Sequence, residues 1–165
     1  MIDHTIEQIE QTRKFFQSEG FSLVQSTIAG RNLEYYLIPQ SFHTPLPDFI
    51  YRVTNDATKK HIMGVSTSVP EGLQPYFILA EYVEFIEIGL NQTNRVMRAE
   101  EIVISTIPKQ LLKDYLERKI RLYNVELELD AEHPDTYLLG SEGRTEFDKA
   151  IHLLERKLKD IQKET

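Results

Sequence analysis

Three glutamates, Glu81, Glu84 and Glu87, stand three residues apart in the otherwise apolar stretch Tyr76-Phe77-Ile78-Leu79-Ala80-Glu81-Tyr82-Val83-Glu84-Phe85-Ile86-Glu87-Ile88-Gly89. Carboxylates so close together can divide acid and base roles, one keeping a proton while the other stays ionised, or can jointly hold a metal ion. On an α-helix residues three apart are neighbours, so the spacing predicts one slanting acidic stripe. The other faces would be Tyr, Phe, Ile, Leu, Val and Ala, which places the helix in the core with its carboxylate edge toward a cleft or solvent. As a strand, the same residues would put charge on both faces of a sheet. Ion pairing is the commoner account of such a stripe, and Arg95, Arg98, Arg118 and Arg121 are the partners available in the second half of the chain.

Other chemistry-bearing patterns are sparse. There is no phosphate loop of the Walker type, no dinucleotide fingerprint and no EF-hand loop. Gly64-Val65-Ser66-Thr67-Ser68 lacks the second glycine of a nucleophile elbow and reads as a strand. The histidines His4, His43, His61, His133 and His152 show no zinc-binding spacing. Asp148, His152 and Glu155 share a helical face, which on a charged helix reads as a solvated surface. His43 lies in a proline-rich loop with no visible partner. A dinuclear carboxylate site needs Glu-x-x-His motifs, and neither Glu81 nor Glu84 has a histidine three residues on. The absence of cysteine excludes disulfides and thiol chemistry. No metal and no cofactor are expected.

Around the stripe, periodicity predicts an α+β fold: an N-terminal helix, a small antiparallel sheet of two hairpins, then a helical C-terminal half, in one domain spanning 1–165. The first helix runs over about Thr5 to Glu19, with Thr5 and Gln8 as a capping box. Phe21–Ile28 and Leu33–Ile38 flank a turn at Ala29-Gly30-Arg31-Asn32, and Phe49–Thr54 pairs with His61–Ser68. A glycine inside the apolar run Ile62-Met63-Gly64-Val65 predicts a bulge or a close backbone approach. Helices follow over about Gln74–Ile88, Val96–Thr106, from Pro108 onward, and Glu142–Gln162. In the third of these Leu111, Leu112, Tyr115, Leu116, Ile120 and Tyr123 share a side. Val125-Glu126-Leu127-Glu128-Leu129 alternates like a strand, but no turn signal precedes it, so the helix is expected to continue. Phe147, Ile151, Leu154, Leu158 and Ile161 form a heptad-spaced face on the last helix.

The order of helix, small sheet and central helix resembles the minimal gluzincin-like, or zincin, metalloprotease fold over about residues 5 to 130. That family carries H-E-x-x-H on its central helix, and the matching residues here are Ala80-Glu81-Tyr82-Val83-Glu84. The resemblance puts Glu81 in the place of the general base, with Ala80 and Glu84 where the two histidine ligands belong. It therefore implies a member without zinc and without peptide hydrolysis, and a remnant of the later-helix glutamate at Glu117, Glu126 or Glu128.

The chain carries a net charge of -7 with 41% hydrophobic residues, and it has no basic patch with interleaved aromatics, so nucleic acid is not an expected ligand. Its apolar runs are too short and too acidic to span a bilayer, and the start has no signal-peptide pattern, so a soluble cytoplasmic protein is expected. The function expected is that of a non-catalytic acidic binding or adaptor protein with a basic protein partner, monomeric or a weak homodimer through the C-terminal helix. The alternative is a metal-dependent or carboxylate-based hydrolase using Glu81 and Glu84.

Overall fold

The computed structural model describes residues 2–164. The α+β order stands: an N-terminal helix, a four-stranded sheet and a helical C-terminal half. Helix α1 (Ile6–Ser18) starts at the predicted capping box, in which the Thr5 hydroxyl accepts from the Gln8 amide at 3.1 Å and the Gln8 side chain accepts from the Thr5 amide at 2.9 Å. Its buried face, Ile9 and Phe16, lies on the sheet.

Strands β1 (Leu23–Ile28) and β2 (Arg31–Ile38) form a hairpin whose turn is only Ala29-Gly30. Both turn residues have positive φ, 51° and 78°, the twist that two-residue hairpins require. Strands β3 (Ile50–Thr54) and β4 (His61–Ser66) form the second hairpin. The sheet is mixed, because its order is β1-β2-β4-β3 and β4 runs parallel to β2. The proline-rich segment after β2, which contains a 3₁₀ turn at Gln40–His43, carries the chain past one strand position before β3 begins. Two antiparallel hairpins thereby join along a parallel seam. Gly64 sits on that seam opposite Tyr36, and a Cβ placed there would lie 2.4 Å from Ile38 Cδ1 and 3.3 Å from the Tyr36 carbonyl oxygen. This is the close approach that its glycine predicted.

Helix α2 (Gln74–Tyr82) crosses the sheet and buries Phe77, Ile78, Leu79 and Ala80. Helices α3 (Arg95–Thr106), α4 (Lys109–Glu132), the short α5 (Pro134–Tyr137) and α6 (Gly140–Lys163) make the helical half. Helix α4 runs unbroken through Val125–Leu129, as expected in the absence of a turn signal. The heptad face of α6 packs on α3 and α4 within the chain: Phe147, Ile151 and Leu154 are buried, and Leu158 and Ile161 are half-buried. Glu146 of α6 caps α3 by accepting from the amides of Asn94 at 3.2 Å and Arg95 at 2.8 Å. Asp130 of α4 accepts from the Leu139 amide at 3.1 Å and pairs with Arg144 at 2.8 Å, which fixes the α5–α6 corner.

Candidate functional site: an acidic cavity beside the central helix

The glutamate stripe lies on the central helix, but the helix is not α-helical to its end. After Tyr82 it widens into a π turn over Val83–Ile88, closed where the Gly89 amide donates to the Glu84 carbonyl five residues back at 3.0 Å. Gly89 then ends it with φ of 96°. The wider turn rotates residues three apart away from each other, so the predicted three-residue stripe is divided. Glu81 and Glu84 face a cavity. Glu87 leaves it for the surface, where its carboxylate receives two hydrogen bonds from Arg31 at the start of β2, one of 2.8 Å from Nη2 and a second from Nε.

The cavity has a volume of about 410 Å³. Glu81 and Glu84 enter it from the central helix, Lys119 and Glu126 from α4, and Arg52 from β3. Phe49, Tyr51, Phe85, Tyr123 and Phe147 supply aromatic wall. At its edge stand Ile2, Phe42 and Leu138, which are 48%, 42% and 42% exposed and are three of the most exposed large apolar side chains among the described residues. The N-terminal segment is held in place by pairing beside β3: the His4 amide donates to the Thr54 carbonyl at 2.8 Å, and His4 Nδ1 accepts from the Thr54 amide at 3.2 Å. On the other side, His43 and Tyr137 are joined at 3.2 Å between Nε2 and Oη, linking the 3₁₀ turn to α5. His43 thus has the partner that its sequence neighbourhood did not show.

Burial sets the electrostatics. It raises the Glu81 carboxyl above the ordinary range against the opposing pull of Lys119 and Arg52. It raises Glu84 well above that range, and repulsion from Glu81 adds to the effect. Glu126 is pushed up to about 7, by burial first and by Glu81 second. Both carboxyls of the central helix are thus held toward their protonated forms, Glu84 the more strongly. Arg52 lies over the Phe85 ring, its guanidinium carbon 3.7 Å from the ring centroid, and donates from Nη1 to Thr54 Oγ1 and, at 3.4 Å, to the Ile2 carbonyl. Lys119 is fully buried. Its ammonium lies 3.8 Å from Glu100 and 4.7 Å from the centroid of the Tyr123 ring, with no hydrogen-bond acceptor among the described residues. Glu100, fully buried on α3, accepts hydrogen bonds from Tyr115 Oη and, at 3.1 Å, from Tyr123 Oη.

Several expected partners are elsewhere. Of the four arginines considered for the stripe, Arg95 acts electrostatically on Glu84, while Arg98 is exposed. Arg118 and Arg121 instead hold the buried Asp48, at 3.1 Å and 2.8 Å. The cations that line the cavity are Arg52 and Lys119, which sequence reasoning missed. Lys119 did leave a signal: with Leu112, Tyr115, Leu116, Leu122 and Tyr123 it keeps the three- and four-residue spacing of the buried α4 stripe, and Glu126 continues it. Of Glu117, Glu126 and Glu128, only Glu126 reaches the cavity, and the other two are exposed. Asp148, His152 and Glu155 lie on an exposed face of α6. Among the described residues no three His, Asp or Glu side chains come together in a group that could hold a metal ion, and no helix is long and apolar enough to cross a membrane. In comparison with known proteins, the chain matches no family model, no curated protein and no solved structure.

Proposed function

We propose that the protein is a non-catalytic binding domain whose recognition site is the cavity between the central helix and α4. The observation that carries this reading is the cavity's make-up: aromatic walls, an exposed apolar edge and three inward carboxylates, in a volume typical of ligand sites. A net charge of -7 favours a basic protein as partner, brought to the site by long-range attraction. Affinity capture at low and moderate salt with the wild-type chain and with Leu138→Glu, which puts a charge at the cavity edge, tests it. A stoichiometric partner held by the wild type and lost by the variant is the expected result. A partner set indifferent to that change would remove the cavity from recognition.

A second reading is favoured by the carboxylate pair itself. Glu81 and Glu84, both raised by burial, with repulsion from Glu81 raising Glu84 further, are the kind of pair that divides acid and base roles in hydrolysis. In its zincin-like form the domain descends from a metalloprotease fold, with Ala80 and Glu84 in the places of two histidine ligands. Ester, peptide and glycoside substrates offered to wild type and to Glu81→Gln distinguish the readings. Turnover by the wild type that vanishes in the variant would replace binding with catalysis.

A further inference from the structure

The carboxylates of Glu81, Glu84 and Glu126 converge on the cavity from two helices, and among the described residues none of them receives a hydrogen bond. The two cations in the lining divide their attraction between these carboxylates and other partners. Arg52 donates to Thr54 and Ile2 and lies on Phe85, while the ion pair of Lys119 is with Glu100, which does not line the cavity. Three carboxyl groups meet two cations in the lining, with Arg95 outside it also acting on Glu84. Glu84 is only 5% exposed, and the fully buried Lys119 ammonium has neither water contact nor a hydrogen-bond acceptor among the described residues.

We infer that the cavity is a receptor site for an organic cation, an ammonium or guanidinium group on an apolar stem, with the charged head among Glu81, Glu84 and Glu126 and the stem along the aromatic walls. The inference rests on the binding reading above and names what is bound. An anion would meet three carboxylates. A wholly apolar ligand would cover those carboxylates and leave them unsolvated, at a large desolvation cost. A bare metal ion needs a tight set of oxygen ligands that the described residues do not form. An organic cation supplies donors to the carboxylates, is attracted by ring faces and can leave its stem against Phe42 and Leu138 at the edge. The head can come from a basic side chain of a partner protein or from a free amine, since the chemistry is the same.

Cation entry is coupled to protons. Glu126 is faced by Glu81 of the central helix, Arg52 of β3, and Lys119 and Asp130 of its own helix. Glu84 has Glu81, Arg95, Arg52 and Lys119 around it, and Glu100 acts on Glu81. His4, His43 and Tyr137 line the cavity nearer its edge. A cation placed among the carboxylates favours their ionised forms and displaces protons, so affinity rises with pH through neutrality.

Calorimetry and amide NMR on the full chain test this with 4-phenylbutylamine, its neutral counterpart 4-phenylbutanol, and the blocked tripeptide acetyl-Leu-Lys-Phe-amide. The amine is expected to bind about tenfold or more tightly than the alcohol near pH 8, with proton release, and to lose most of that advantage near pH 5. Glu84→Gln and Glu126→Gln are each expected to weaken the amine roughly tenfold while leaving the alcohol unchanged, which also shows that the variants are folded. Amine binding without peptide binding identifies a free amine as the source, and the reverse identifies a protein side chain. Equal affinity for amine and alcohol would overturn the cation inference and leave the binding reading standing. If neither amine, alcohol nor peptide binds, both are overturned.

Discussion

Glu126 links burial to a measurable pH effect. Its carboxyl is held up to about 7 in the folded chain against an ordinary value of 4.5. Between those values the folded chain keeps a proton that the unfolded chain has released. Stability therefore falls as pH rises through the interval, levels off above it, and is free of the penalty below it. The size is on the order of 3 kcal/mol. Glu126→Gln, which is neutral at every pH, is expected to raise stability by about 1–3 kcal/mol above neutrality and by almost nothing in mild acid. Urea unfolding at both pH values checks it, and a variant less stable than wild type in mild base would show that the carboxylate is compensated after all. Lys119→Met should act in the opposite direction. Removing the buried cation leaves Glu81 without its largest opposing charge, so a loss of about 3 kcal/mol is expected in mild base, shrinking in acid as the carboxylates take up protons. At this scale the acidic residues of the central helix were legible because glutamates in an apolar run stand out. Lys119 and Arg52 were not, because a pattern read from apolar positions passes over a charge that occupies one of them.

Among the elements, the seam between β2 and β4 is the tightest point of the sheet. Ile38 is fully buried there, and a methyl group on residue 64 has no room beside it. Gly64→Ala is expected to lose about 1–3 kcal/mol through overpacking. In an Ile38→Val background, which removes the clashing Cδ1, much of that loss should disappear. Thermal unfolding of the two single variants and the double variant measures the coupling, and strictly additive losses would place the strain elsewhere. The capping box of α1, the continuation of α4 and the glycine on the seam were legible because each depends on residues close in sequence. The π turn was not. Its defining bond joins Gly89 to Glu84, five residues apart, and the same side chains would suit an α-helix there. That single wide turn is what sends Glu87 to Arg31 and keeps Glu84 inside. The parallel seam was also unreadable, since hairpin signals specify pairing within each hairpin and say nothing about which edges then meet.

For the molecule as a whole, the cavity edge is a junction of distant segments: the N-terminal strand-like stretch beside β3, the 3₁₀ turn after β2, and α5 with the corner that follows it. One hydrogen bond, between His43 and Tyr137, ties the last two together. Tyr137→Phe removes it at a partly exposed site. Global stability is expected to change by less than about 1 kcal/mol, while amide exchange in residues 134–139 speeds up several-fold. Unaltered exchange there would show that the Asp130 contacts to Leu139 and Arg144 hold the corner unaided.

Local periodicity and composition, by themselves, determined the order of elements, the α+β class, the apolar identity of the central helix and the presence of acid upon it. Each follows from neighbours along the chain, through helical or strand spacing and end-capping. Tertiary structure alone decided that Glu81 and Glu84 meet Glu126 across a cavity and that Glu87 does not. It also placed Arg52 and Lys119 in the lining of that cavity, with no hydrogen-bond acceptor for the Lys119 ammonium among the described residues. Those facts depend on how α4 and β3 pack against the central helix, and so on contacts between residues far apart in sequence. The raised proton affinity of the carboxylates has the same origin, because exclusion of water belongs to the packed chain and to no single segment of it.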